Sequence, residues 1–351
     1  MKYYSTNHTA PEVALGEAVV RGLAPDKGLY MPERIEKLPR SFYDGIASMS
    51  FHEIACRVAE AFFGDDIEHE TLRKIVCDTL SFETPVVRVE PGIYSLELFH
   101  GPTLAFKDVG ARFMARMLSH FIGRDNGRVT VLVATSGDTG SAVANGFLGV
   151  EGIDVVVLYP KGKVSEIQEK QFTTLGRNIT ALEIDGTFDD CQRLVKSAFL
   201  DRELNERFRL TSANSINVAR FLPQAFYYFN AYAQMRRAGE NGEIVVSVPS
   251  GNFGNITAGL FAKRMDTVLQ VAQSKKESGK PVLDRSRERQ VLARVAEQVG
   301  EPYEPYSTVL WNVLFDLSRS YQNQMLSQGS PLAQAIESAC QNTPPLFPKK
   351  A

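Results

Sequence analysis

The sequence is poor in the residues that hold metals or cross-links. Its four cysteines, Cys56, Cys77, Cys191 and Cys340, stand far apart with no C-x-x-C pair. That excludes a zinc ribbon or a disulfide framework and suits buried thiols in a reducing compartment. The five histidines, His8, His52, His69, His100 and His120, show no metal-ligand spacing, so no metal centre is expected. An excess of either charge is also missing. A formal net charge of -2 over 351 residues gives no long-range attraction for nucleic acid or anionic membrane. No apolar run approaches transmembrane length, and the opening Met-Lys-Tyr-Tyr-Ser-Thr-Asn-His lacks the apolar centre of a secretion signal. The expectation is a cytoplasmic protein that binds neither nucleic acid nor membrane.

What is present is an ordinary globular composition, 44% hydrophobic and 23% charged, with length enough for two or three domains. Residues up to about 90 read as helices and loops. Proline near a first turn predicts a helix from Ala10, and apolar three- and four-residue spacing predicts helices over 51–63 and 70–80. From about 90 to 262 strand and helix alternate. Strands are expected at 129–133, 154–158, 179–184 and 243–248, with a helix from Ser141, others near 165–175 and 189–200, and a long one ending near Met235. Continuous β-branched strands between helices predict a parallel sheet covered on both faces, with ligands held beyond the strands' carboxyl ends.

Three stretches carry candidate chemistry. Lys107 follows a Gly101-Pro102 turn and an apolar Leu104-Ala105-Phe106 approach, and precedes Asp108. An amine against apolar neighbours loses solvation of its charged form and moves toward the nucleophilic state that a Schiff-base lysine needs; the alternative is a surface lysine after a turn. Thr135-Ser136-Gly137-Asp138-Thr139-Gly140 and Ser250-Gly251-Asn252-Phe253-Gly254-Asn255 each join a strand to a helix. Such loops present free backbone N–H groups to an anion, or they are merely tight connections. Together with Lys107 they suit a cofactor that has both an aldehyde and a phosphate.

These stretches, with Tyr3-Tyr4-Ser5-Thr6, the segment from Gly22 to Glu33, and Ser212-Ala213-Asn214-Ser215-Ile216-Asn217 before Arg220, Pro223 and Gln224, resemble threonine synthase from residue 1 to about 265. The resemblance implies a fold-type II pyridoxal-phosphate enzyme of α/β class with parallel sheets. Its reaction would be that of a carbon–oxygen lyase, converting O-phospho-L-homoserine and water to L-threonine and phosphate. It assigns pyridoxal 5'-phosphate as cofactor, Lys107 as its anchor and acid–base catalyst, Ser250, Gly251, Asn252, Phe253, Gly254 and Asn255 as the phosphate cradle, and Thr135, Ser136, Gly137, Asp138, Thr139 and Gly140 as the binding loop for the substrate's amino-acid end. The family continues for a further third of sheet and helix that has no counterpart here, which leaves the large domain incomplete.

Beyond Met265 the alternation gives way to an all-α pattern, with helices expected over 285–299 and 308–325. From about 262 to 325 it is similar to part of the helical class of chorismate mutase, on Ala262-Lys263-Arg264, Lys275, the run Gly279 to Glu288, and Ser318-Arg319-Ser320-Tyr321-Gln322. This second resemblance implies a mutase site of Arg264, Lys275, Asp284, Arg287, Glu288, Ser318 and Gln322, and a homodimer through the C-terminal helices. The first arginine of that family falls where this chain has Ser247. The chain is therefore expected to comprise a threonine-synthase N-terminal segment over 1–90 and a pyridoxal-phosphate-binding α/β domain over 91–264. Chorismate-mutase-like helices over 265–328 and a loose tail over 329–351 complete it. The alternatives to a threonine synthase reaction are chorismate-to-prephenate rearrangement and an inactive fusion of two incomplete enzymes.

Overall fold

The N-terminal strand is the first element to find partners. In the computed structural model, which describes residues 1–123, 128–214, 217–248 and 254–265, β1 (Lys2–Ser5) lies antiparallel between β2 (Val13–Ala14) and β3 (Tyr30–Pro32). Alternation along β1 turns Tyr3 and Ser5 fully inward. Helix α1 (Leu15–Arg21) starts later than the proline near Ala10 suggests. The residues before it are already engaged, in β2 and on the Asp26 carboxylate, which accepts from the Thr9 and Ala10 amides at 3.1 and 2.9 Å.

After the short α2 (Arg40–Gly45) come α3 (Phe51–Phe63) and α4 (His69–Thr79), where the apolar spacing predicts them. A capping box between Ser50 and Glu53 fixes the start of α3, which buries Ile54, Val58 and Phe62. The hairpin of β4 (Val86–Glu90) and β5 (Ile93–Leu96) is an addition to the expected elements. Gly92, at φ +80°, supplies the left-handed turn between its strands.

The second half is the expected parallel sheet. Helix α5 (Lys107–Gly123) precedes β6 (Val129–Ala134), α6 (Asp138–Phe147), β7 (Ile153–Pro160), α7 (Glu166–Thr173), β8 (Ile179–Ile184), α8 (Phe188–Leu200), α9 (Arg202–Phe208) and β9 (Leu210–Ser212). The strands lie in the order β8-β7-β6-β9, all parallel, with Val131 opposite both Val155 and Thr211. Residues 243–248, expected as a further strand, form no ladder among the described residues, and Val245 is 70% exposed. A strand exists only through a neighbour's N–H and C=O groups, and β-branched composition alone supplies none.

The long helix expected before Met235 is broken into α10 (Val218–Phe221), a 3-10 turn over Leu222–Gln224, and α11 (Ala225–Arg237). Pro223 lacks the amide that a continuous helix would need there. Helix α12 (Gly254–Met265) returns to the N-terminal region, where Tyr43 Oη donates to Met265 O at 2.9 Å and Phe261 packs on Phe62. Residues up to Met265 thus make one packed unit. No helix among the described residues is long and apolar enough to cross a membrane. The all-α segment and the tail expected after Met265 lie outside the described residues.

Candidate active site

Lys107 is the first residue of α5 and is 5% exposed. Of the two sequence readings of this lysine, the surface one fails. Its Nζ donates to Thr139 Oγ1 at 2.8 Å and lies 2.9 Å from Asp138 Oδ2, with the Phe106 ring centroid 5.5 Å away. Burial pushes the amine below the usual lysine range, and the positive charge of Arg220 adds to that. The hydrogen bond and charge of Asp138 work against it.

The approach to Lys107 is held in a demanding shape. Leu104 is 64% exposed yet sits at φ +58°, a left-handed conformation that side chains disfavour. Asp108 holds the loop from behind by accepting from the Thr103 amide at 3.0 Å and from the Thr103 hydroxyl. Gly101 has no room for a side chain, because a Cβ would lie 2.3 Å from Asp108 Oδ2. From above, Tyr227 Oη donates to Phe106 O at 2.7 Å.

Opposite stands the loop from β6 to α6. Thr135 is buried, and its Oγ1 accepts from the Gly137 and Gly140 amides at 2.9 and 2.8 Å. Gly137 adopts φ +146°, and a Cβ on it would meet Gln168 Oε1 at 2.1 Å. Of the six residues expected here to bind substrate, Thr135, Gly137 and Gly140 therefore build the loop. Asp138 and Thr139 face the Lys107 amine, and Ser136 is exposed. The amides of Asp138 and Thr139, at the N-terminus of α6, have no acceptor among the described residues.

Arg220 joins the site as a group that motif reading placed in the resemblance but not in the site. It is wholly buried; Nη1 donates to Ala213 O, while Nε and Nη2 have no partner among the described residues. Burial lowers its pKa to about 10, against the opposing charges of Asp138 and Asp108. The signal for it in the sequence is one arginine inside the apolar run Val218-Ala219-Arg220-Phe221-Leu222, since an unpaired buried cation is costly and is kept only beside a counter-charge.

Of the expected phosphate cradle, Gly254 and Asn255 open α12, and Tyr228 Oη donates to Asn255 O at 2.8 Å. Ser250, Gly251, Asn252 and Phe253 lie outside the described residues, as do Lys275, Asp284, Arg287, Glu288, Ser318 and Gln322. Arg264 is exposed in the last turn of α12. Among the described residues no group of three His, Cys, Asp or Glu is placed to hold a metal. What the structure brings together is a buried amine, a carboxylate, a hydroxyl, an unsatisfied guanidinium and a helix N-terminus. That set combines the chemistry for an anion with that for a carbonyl group.

Comparison with known proteins agrees over the same stretch. The family described as threonine synthase N terminus matches residues 2–80, and chorismate mutase type II matches residues 258–323. Threonine synthase of Escherichia coli K12 is 48% identical over 265 residues, 76% of this chain and 61% of that protein. Threonine synthase of Haemophilus influenzae gives the same identity and coverage. The chain thus spans about 61% of the length of these relatives. Among solved structures, threonine synthase from yeast matches with TM-score 0.70 and 31% identity, covering 92% of this chain and 72% of that one. Pyridoxal-phosphate-bound threonine synthase from Brucella melitensis matches with TM-score 0.71 and 40% identity, covering 76% and 58%.

Proposed function

This chain belongs to the threonine synthase family, and from that premise we propose that Lys107 anchors pyridoxal 5'-phosphate in a lyase that converts O-phospho-L-homoserine and water to L-threonine and phosphate. The observation that carries this reading is the buried Lys107 amine in the field of the wholly buried Arg220 guanidinium, two of whose three nitrogens have no partner among the described residues. A lysine kept short of full solvation is ready to act through its lone pair. Orphaned guanidinium N–H groups fit a ligand rich in anionic oxygens. The residues present therefore suit the cofactor and a phosphorylated amino acid.

The cofactor, when bound, supplies an electron sink for negative charge developing on neighbouring carbons. This chain's residues do the rest. Lys107 Nζ takes and returns protons as general base and acid. Ser136 and the free amides at the start of α6 receive the amino-acid end of the substrate, and Arg220 neutralises an anionic oxygen cluster from the opposite side. Gly254 and Asn255, with Ser250, Gly251, Asn252 and Phe253, cradle the cofactor's phosphate. Val109 and Phe113, further along the helix that Lys107 opens, are wholly buried, as is Phe226, whose ring meets that of Phe113.

Incubation of the full chain with pyridoxal 5'-phosphate, reduction with borohydride and peptide mass spectrometry should place a covalent pyridoxyl group on Lys107 and none in Lys107→Ala. A chain that stays unlabelled at Lys107 overturns the reading. Phosphate release from O-phospho-L-homoserine then measures turnover.

The match of residues 258–323 to chorismate mutase type II favours a second activity. In that reading 1–90 and 91–264 form the pyridoxal-phosphate part, Arg264 at its end joins Lys275, Asp284, Arg287, Glu288, Ser318 and Gln322 of 265–328 around chorismate in a homodimer, and 329–351 is a tail. Prephenate formation that falls on Arg287→Ala tests it. Silence in both assays leaves an inactive fusion of two enzymes.

A further inference from the structure

Asp138 sits in the loop expected to take the substrate's amino-acid end, yet its carboxylate points elsewhere. Oδ2 lies 2.9 Å from Lys107 Nζ. A carboxylate on that loop repels a substrate carboxylate, so attraction of that group falls to Ser136 and the free amides of α6, not to Asp138. The two partners also differ in access to water. The Lys107 side chain is 7% exposed and that of Asp138 is 39% exposed. The amine's other polar contact, Thr139 Oγ1 at 2.8 Å, is a hydroxyl that accepts the N–H but cannot keep a proton at neutral pH.

We infer that Asp138 is the acid–base partner of Lys107, holding the amine's proton when the lysine is free and passing it to solvent when the lysine must react. The step is a single transfer. A proton moves from Nζ to Oδ2 along the 2.9 Å contact, the ammonium becomes a neutral amine with a lone pair, and the carboxylate becomes a carboxylic acid that releases its proton to water. Burial of the amine favours this transfer, because the ammonium gives up its charge where charge is poorly solvated, while the more exposed carboxylate stands in reach of water to take the proton on. The other charges facing the amine act consistently. Arg220, from α10, disfavours the ammonium, whereas Asp138, from α6, favours it. Asp108, next along α5, faces Thr103 and Arg220. The pairing also keeps Lys107 pointed from α5 toward α6 before any ligand arrives. It deepens the proposed lyase reading, in which Lys107 is the reacting amine, but the pairing itself is measurable without cofactor or turnover.

The test is competitive acetylation of the full chain, stripped of bound aldehydes with hydroxylamine. The pH dependence of Lys107 labelling is read by peptide mass spectrometry in wild type, Asp138→Asn and Asp138→Glu. Loss of the carboxylate lowers the midpoint in Asp138→Asn, and a midpoint lower by about one pH unit raises labelling at neutral pH about tenfold. Asp138→Glu keeps the midpoint on the wild-type side. An Asp138→Asn protein with wild-type melting and a wild-type midpoint overturns the inference. Should that variant not fold, wild type decides by carbon-13 titration: Lys107 Cε and the Asp138 carboxyl carbon must report a common coupled transition, and independent midpoints overturn the pairing. A chain that never binds pyridoxal 5'-phosphate yet shows the lowered midpoint in Asp138→Asn retains the pairing and loses only the lyase reading.

Discussion

The backbone oxygen of Arg220 occupies the place where Gly110 has no side chain: a Cβ on Gly110 would lie 2.5 Å from it. Helix α5 can approach α10 this closely only through that glycine, and the approach is what sets the guanidinium near Lys107. Gly110→Ala should therefore force the two elements apart. The expected loss is about 1–3 kcal/mol, the usual range for an overpacked interior, read as a lower urea midpoint. Labelling of Lys107 by pyridoxal 5'-phosphate should weaken in parallel, since the misplacement reaches the site.

Arg220 itself carries a cost that function would explain. Its Nε and Nη2 are buried without partners among the described residues. Replacing it by methionine, similar in length and apolar, removes a desolvated charge at the expense of the Ala213 bond. Because Arg220→Met also strips the buried Asp108 of an opposing charge, the two effects offset, and stability in urea should stay within about 1–2 kcal/mol of wild type. Inorganic phosphate at a hundred times its dissociation constant should stabilise wild type by about 2.7 kcal/mol and leave the variant unmoved. A variant that is much less stable, or that still responds to phosphate, would assign Arg220 a purely structural role.

The parts of the molecule legible in the sequence are those governed by local periodicity and by chemistry confined to one loop. The apolar spacing of 51–63 and the β-branched runs at 129–133 and 179–184 mark α3, β6 and β8 closely. Lys107 is visible through its neighbours. Elements that depend on distant partners are not legible. β1 is recognisable only once β2 and β3 flank it, and residues 243–248 look like a strand but have no strand beside them among the described residues. Asp138 looks like a substrate ligand because its motif lies in a loop at a helix start. Only the fold, which lays that loop against α5, turns its carboxylate onto Lys107. Arg220 is only half legible: its place inside the apolar run from Val218 to Leu222 marks it as buried, but only the fold shows that its guanidinium lacks partners among the described residues and lies near Lys107.

Asp26 gives the N-terminal region a pH dependence of definite sign. Its carboxylate accepts from Ser5 Oγ at 2.6 Å, from the Thr9, Ala10 and Gly28 amides and from the Thr9 hydroxyl. The Ser5 bond leads the interactions that hold its pKa far below the usual carboxylate range. A carboxyl depressed in the folded state contributes stability that is present above the unfolded value of about 3.9 and is lost as pH falls below it. Asp26→Asn should accordingly be less stable than wild type at neutral pH, with the difference shrinking as the medium is acidified through that value. Urea midpoints at neutral pH and near pH 3 would check it; a constant difference across that interval would count against the assignment.

Thr135 offers the sharpest separation of loop architecture from ligand chemistry. Its hydroxyl oxygen receives two amides, Gly137 at 2.9 Å and Gly140 at 2.8 Å, and donates to Gly137 O at 3.1 Å. Valine has the same shape without the hydroxyl, so Thr135→Val leaves buried N–H groups unpaired, each at about 1–3 kcal/mol. The methyl group matters less to the bonding than to the fit, because Thr135 Cγ2 lies 2.5 Å from where a Cβ on Gly140 would be. Thr135→Ser retains the oxygen and should stay within about 1 kcal/mol of wild type, a minor loss of packed volume. If Thr135 served chiefly as a substrate ligand, the two variants would have equal stability and differ only in affinity. If it builds the loop, Thr135→Val should unfold at lower urea and also lose Lys107 labelling, because Asp138 and Thr139 are positioned by the same turn.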